Sequence, residues 1–264
     1  PDLVAGCIAR MKFFNPAWDV YVLYPHIPNL EPPPTKMANA CCGGFDDATH
    51  VADWYRSAAL AKYGGIWLDS TAIVNQPVEH WARLDMDAMQ GWQWVGGSNA
   101  LENWGFVTPY KSLFMATWMA EMRAAWQMGP ELYSANINPA VPITDELRGW
   151  LPYLTMHACF VASWARLPLE TVRWIASSMD PGMPFEFLAK SDWDSTKALD
   201  LVFFRMNQTE IANTTFFKLR GDERKAAKSL TTYAQEGSLL AKEMLALIGP
   251  PTSRGRGQRR ADEE

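Results

Sequence analysis

The sequence predicts an α/β protein, an open sheet flanked by helices with a helical C-terminal part, and three observations predict it. A helical run from Asp46 to Tyr63 feeds Gly64-Gly65 and the short apolar strand Ile66-Trp-Leu68, which is the repeating unit of an open α/β sheet. Asp19-Val-Tyr-Val-Leu-Tyr24, Gln93-Trp-Val95, Phe106-Val-Thr108 and Thr215-Phe-Phe-Lys-Leu219 are rich in β-branched and aromatic residues, as strands are. From Thr144 to about Ile248 the pattern is mostly helical, broken at Pro152, Pro168 and Pro181-Gly-Met-Pro184.

Taken in order, Val4 to Phe14 reads as a helix that leads through Asn15-Pro16 into the strand Asp19–Tyr24, which Pro25 and Pro28 stop. Glu31-Pro-Pro-Pro34 and Cys42-Gly-Gly44 bound a loop. Asp46, Asp47 or Thr49 caps the next helix and Gly64-Gly65 ends it. At 3.6 residues per turn Val51, Tyr55 and Ala58 share one face, and Asp53, Arg56, Leu60 and Tyr63 fall roughly opposite, so the helix is expected to pack on one side and stay open on the other. Asp69 then emerges at the carboxyl end of a strand, where ligands of open sheets collect. A long helix from Tyr110 to about Met128, ended by Gly129-Pro130, comes next.

Composition narrows the function. With 264 residues, 48% hydrophobic and 20% charged, the chain can bury a sizeable core. A net charge of -5 and a pI near 5.5 give no global reason to bind nucleic acid, so none is expected as a partner. Cys7, Cys41, Cys42 and Cys159 form neither a CxxC pair nor a zinc pattern and read as unremarkable thiols. No apolar run approaches the ~20 residues that span a bilayer, and no signal-peptide pattern opens the sequence. Because Pro1 falls inside a structured segment, an upstream strand, anchor or signal is left open, and any membrane association would run through a segment outside this chain. Asn207-Gln-Thr209 and Asn213-Thr-Thr215 are formal glycosylation acceptors; they tilt the setting toward the Golgi or another membrane-associated site over bacterial cytoplasm. The polar, glycine-rich end from Ser253 to Glu264 is expected to be disordered.

The chemistry concentrates between Asp53 and Thr71. Asp53 and Arg56, three apart on a helix, would by spacing alone be an exposed ion pair contributing a few tenths of a kcal/mol, a reading that their surroundings outweigh. Sharing a face with Tyr63 and pointing to the strand end at Asp69, they also suit an anionic ligand: arginine forks to phosphate, and a carboxylate takes ribose hydroxyls or a base edge. Gly64-Gly65 alone is weak, since glycine pairs end many helices. Asp69-Ser-Thr71 alone is also weak, because an Asp after a strand often caps the next turn.

The combination resembles the capsular polysaccharide synthesis type of glycosyltransferase, related to the DXD sugar-binding region (initiating mannosyltransferase-like) enzymes. Their core of Ser-Asp-x-x-Arg, then Tyr-Gly-Gly-Ile-Tyr/Trp-Leu-Asp, stands here as Ala52-Asp-Trp-Tyr-Arg56 and Tyr63-Gly-Gly-Ile-Trp-Leu-Asp69. Asn103-Trp104 before Pro109 and the Lys218-Leu219 strand agree with it. The resemblance implies a GT-A-like open mixed sheet over residues 1–228 that lacks its first strand, with a C-terminal helix at 229–250 and the tail at 251–264. It implies transfer of a sugar from a nucleoside diphosphate donor to a carbohydrate or glycan acceptor, with retention, in polysaccharide synthesis. Asp53, Arg56, Tyr63, Gly64, Gly65, Trp67, Asp69 and Thr71 would serve the donor, Asp69 being catalytic and the metal ligand; Asn103 and Trp104 would serve the acceptor, with Asp192 and Asp194 as further candidates. A divalent cation, Mn2+ or Mg2+, would neutralise the diphosphate. Thr71 replaces the second acid of the family's Asp-x-Asp signature, which puts that metal in question.

Two rivals stand beside this reading. One is a non-catalytic nucleotide- or carbohydrate-binding protein on the same fold; the other is a glycoside hydrolase, for which no flanking carboxylate pair is evident. His26, His50, His80 and His157 read as structural. Most of the thirteen tryptophans read as core area rather than sugar platforms.

Overall fold

The computed structural model describes residues 2–23, 29–33, 48–94, 100–138, 140–151 and 153–249. Expectations for Tyr24, Pro25, His26, Pro28, Cys41, Cys42, Asp46, Asp47, Val95 and the tail lie outside those residues. The elements run α1 (Asp2–Phe14), α2 (Ala48–Tyr63), β1 (Gly65–Leu68), β2 (Ala72–Val74), β3 (Met89–Gln93), β4 (Leu101–Thr108), α3 (Leu113–Met128), α4 (Pro130–Asn136), α5 (Asp145–Gly149), α6 (Thr155–Trp164) and β5 (Val172–Ser177). Then come α7 (Glu186–Ala189), α8 (Ser195–Asp200), α9 (Gln208–Asn213), β6 (Phe216–Lys218), α10 (Gly221–Ala226), α11 (Leu230–Gln235) and α12 (Leu239–Ile248). The protein is mixed α/β, with an open four-stranded mixed sheet, flanking helices and a helical C-terminal part.

Two compact units divide the chain, one from segments 1–20, 70–78 and 184–264, the other from segments 21–69 and 79–183. The second unit carries the sheet, in the order β1-β4-β3-β5. β4 pairs antiparallel with β1 and β3, and β3 pairs parallel with β5. Gly64 ends α2 at φ +65°, its N–H closing on the Leu60 carbonyl at 2.9 Å, the usual left-handed stop. Ser112 caps α3 by accepting from Met115 N at 3.3 Å. Below the sheet Trp54, Phe106, Phe114, Trp118 and Phe160 bury together, and Trp118 Nε1 donates to the Met156 carbonyl at 3.0 Å, fastening α3 to α6. Each such ring contributes roughly 1.5–3 kcal/mol by burial, several times a surface ion pair, so the aromatics and not the charges set this fold.

The first unit packs α1 against α12 and against the antiparallel pair β2–β6. Gly6 permits the approach: a Cβ there would lie 2.7 Å from Leu230 Cδ1 and 2.8 Å from Met244 Cε. Arg10 is buried and every guanidinium nitrogen is engaged: Nε with the Val74 carbonyl at 2.8 Å, Nη2 with Asn75 Oδ1 at 3.0 Å and Nη1 with Glu243 at 3.3 Å. Burial lowers its pKa from the ordinary arginine value, and the Glu243 carboxylate opposes that shift. Cys7 is a free, buried thiol whose pKa burial pushes up to about 12; Cys159, in the second unit, is likewise free, buried and shifted upward.

Several expectations change. Residues 19–23 form no strand, and Tyr21 and Val22 are exposed, because β propensity without a paired neighbour leaves backbone groups unsatisfied. The strand expected at Gln93–Val95 runs instead over Met89–Gln93, where the side chains are buried against β4 and β5. β2 and β5 were hidden within segments too short or too mixed in pattern to separate from loop and helix. Thr215–Leu219 does hold a strand, but β6 pairs with β2 in a two-stranded sheet of its own rather than joining the larger one. The polar face of α2 is not open: Asp53 is 2% and Arg56 4% exposed.

Candidate functional site

Arg56 is the hub of the site in the second unit. It lies on α2 one turn after Asp53, and β1 delivers Asp69 as its first residue beyond the ladder, with Asp69 N held on the Trp104 carbonyl at 2.8 Å. Arg56 Nη2 stands 3.5 Å from Asp53 Oδ1 and 3.4 Å from Asp69 Oδ1, while Nη1 donates to the Asn103 carbonyl. The guanidinium also covers one face of the Trp67 ring, 5.2 Å from its centroid, and Trp67 Nε1 donates to Asp69 Oδ1 at 3.0 Å. Asp69 is thereby fixed from two sides, yet its side chain keeps 24% exposure, against 3% for Asp53. Asp69 is the member of the cluster that can meet a ligand.

Behind this front, Asn103 Nδ2 donates to Asp53 Oδ1 at 3.1 Å, and His50 Nδ1 lies 3.7 Å from Asp53 Oδ2. His157, on α6, is buried with Trp94 against it at 5.9 Å between ring centroids. Burial, and secondarily the Arg56 charge, depress its pKa to about 3, so the imidazole is neutral at pH 7. Arg56 Nε and His157 Nδ1 are both buried with no hydrogen-bond partner among the described residues. Such atoms are uncommon in a folded interior and mark where a polar group is needed.

The structure brings Asp53, Arg56, Trp67, Asp69 and Asn103 together. It does not bring Tyr63, Gly64 and Gly65 to them: these lie at the opposite end of β1, about 13 Å away at ~3.3 Å per strand residue. Trp104 points to the other face of β4 from Asn103, stacked on Trp92 and donating to buried Glu102 at 2.7 Å. Thr71 belongs to the first unit, where its hydroxyl donates to the Leu219 carbonyl at 2.9 Å and accepts from Lys218 Nζ at 3.2 Å. Asp194, also of the first unit, caps α8 by accepting from Lys197 N at 2.9 Å. His50 and His157 were missed as neighbours of the site. The three-residue spacing of His50 and Asp53 was readable, whereas nothing near His157 in sequence signals Arg56.

A divalent cation needs several oxygen ligands. Among the described residues no group of three or more His, Cys, Asp or Glu is arranged to hold one, and Asp69 stands beside a guanidinium. Among the described residues the donor set therefore fits a cation poorly. Among the described residues no helix is long and apolar enough to cross a membrane.

Comparison with curated proteins and with solved structures gave no match. Residues 1–127 match the family model described as capsular polysaccharide synthesis protein, a stretch that contains α2, β1, Asn103 and the whole Asp53-to-Asp69 motif. Over those residues the chain is similar to capsular polysaccharide synthesis proteins.

Proposed function

We propose that the protein is a glycosyltransferase of polysaccharide synthesis, moving a sugar from a nucleoside diphosphate donor to a carbohydrate or glycan acceptor with retention. The family match supports the biosynthetic part of this reading. The observation that carries the rest is the Arg56 guanidinium clamped between Asp53, Asp69 and Trp67. With its terminal nitrogens already engaged and 4% exposure, Arg56 does not offer a fork to phosphate; it serves the donor by holding Asp69 and the Trp67 ring in register. Asp69 then accepts from ribose hydroxyls, and Trp67, only part buried, presents indole edge and face to the base.

Transfer in this reading rests on positioning: the donor is held so that the acceptor hydroxyl meets the anomeric carbon as the diphosphate leaves, with the leaving-group charge stabilised by oriented dipoles. Asn103 supplies the side of the site next to Asp53, where the acceptor is placed in this proposal. A paired-carboxylate hydrolase is disfavoured because Asp53, 2% exposed, does not face an open bond.

The test is calorimetry with nucleoside diphosphates, with and without manganese, beside a donor-hydrolysis and transfer assay on wild type and Asp69→Ala. We expect micromolar-to-millimolar donor binding, turnover in the wild type, and loss of at least about a thousandfold in turnover in the variant with its fold intact. Undiminished turnover in Asp69→Ala defeats the assignment of Asp69. Binding without hydrolysis or transfer favours the non-catalytic reading, to which the buried Thr71 hydroxyl lends some weight.

A further inference from the structure

The glycine pair of the motif has a second effect at the end of β1 remote from Asp69. Gly64 sits so close to the turn after β4 that a Cβ would lie 2.7 Å from Tyr110 N and 2.8 Å from Tyr110 Cα, and its φ of +65° suits glycine independently. This approach sets the Lys62-Tyr63 turn beside the Tyr110-Lys111 turn, in keeping with the Gly65–Thr108 pairing. Tyr63, Tyr110 and Leu113 are all more than half exposed, at 54%, 65% and 63%. Each tyrosine ring carries its own lysine, Lys62 Nζ 5.1 Å from the Tyr63 centroid and Lys111 Nζ 5.1 Å from that of Tyr110. Lys62 Nζ also donates to the Asn29 carbonyl, a neutral partner, and makes no ion pair among the described residues.

Lys111 adds a further mark. It holds φ +59°, a conformation in which glycine or asparagine is the easy choice and lysine is not. A strained backbone that presents a charged side chain at an exposed turn is better explained by what the charge meets than by the turn itself.

Two exposed tyrosines, an exposed leucine and two lysines on adjoining turns are the composition that proteins set at the boundary between water and lipid headgroups. We propose that this patch, Lys62, Tyr63, Tyr110, Lys111 and Leu113, docks the second unit onto an anionic lipid surface. The lysines meet phosphate headgroups, and the tyrosine rings and Leu113 enter the interfacial layer. An acidic polysaccharide offers the same charge but no apolar layer for Leu113, which is why lipid is the favoured partner. This surface does not depend on the sugar-transfer reading.

The test is flotation of the full chain with vesicles of phosphatidylcholine alone or mixed with phosphatidylglycerol, at low and high salt. We expect binding to the mixed vesicles that falls with salt, and a drop of at least about twenty-fivefold in Lys62→Glu/Lys111→Glu, each lysine counting for roughly a fivefold change or more. Tyr63→Ser/Tyr110→Ser is expected to lower binding while leaving its salt dependence in place. All four positions are exposed, so an unchanged thermal melt shows that the variants fold. No binding to the mixed vesicles overturns the proposal. So does binding that survives both double substitutions, as a contribution from Arg254, Arg256, Arg259 and Arg260 would, and so does retention by a soluble polyuronate with none by vesicles.

Discussion

Arg10 and Arg56 are both buried arginines on helices, one in each unit, and they differ in completeness. Around Arg10 all three guanidinium nitrogens donate to protein oxygens; of the groups around it only the neutral Asn75 Nδ2 lacks a partner among the described residues. Around Arg56 the charged group itself retains an Nε with no partner among the described residues, His157 Nδ1 likewise has none among them, and one of the paired carboxylates reaches the surface. A satisfied buried cation is a fastening. An unsatisfied one, with an open carboxylate attached, stores interactions that a ligand can use, and that is the physical difference between a structural cluster and a site.

Substitution puts this contrast to the test. The largest effect is expected for Arg10→Ala, which strands Glu243, Asn75 and the Val74 carbonyl and should cost about 3 kcal/mol by urea unfolding. Nucleotide affinity of the folded protein should not change; a parallel loss of affinity would end the distinction between the two arginines.

His157 comes next. Its folded pKa of about 3 lies below the unfolded value near 6.5, so between those values the unfolded chain binds a proton that the folded one does not. Its stabilising contribution is complete above pH ~6.5 and is lost as the pH falls, by about 2 kcal/mol between pH 6.5 and pH 5. His157→Phe should remove that part of the slope in urea midpoints measured across the range, and an unchanged slope would refute the buried neutral imidazole.

Smallest is Arg56→Lys, which keeps the charge but loses the fork that spans Asp53, Asp69 and the Asn103 carbonyl. We expect donor affinity to fall about tenfold, or ~1.4 kcal/mol, in calorimetry. Wild-type affinity would mean that Asp69 needs no such holder.

Legibility in the sequence tracked the range of the interactions. α2, its glycine stop and β1 were readable because caps, apolar spacing and glycine act over a few residues, and the closeness of Asp53, Arg56 and Asp69 came from them. Asn103 was named from its motif, but its amide on Asp53 is a contact across fifty residues of chain. Thr71, the position where the family pattern fails, read as a deficient metal ligand; the fold instead gives its hydroxyl to Leu219 and Lys218.

The α/β class, the helix, turn and strand that carry the motif, and the resemblance borne out over residues 1–127 were all written in the local order of residues. Four properties of the site needed the assembled fold: which face of α2 is buried, that Arg56 is engaged by Asp53, Asp69 and the Asn103 carbonyl, that His157 stands neutral beside it, and that Tyr63 lies away from Asp69. The reason is physical: local propensity fixes backbone shape. Burial, the pairing of charges and the loss of water around them depend on partners that the chain brings together from far apart.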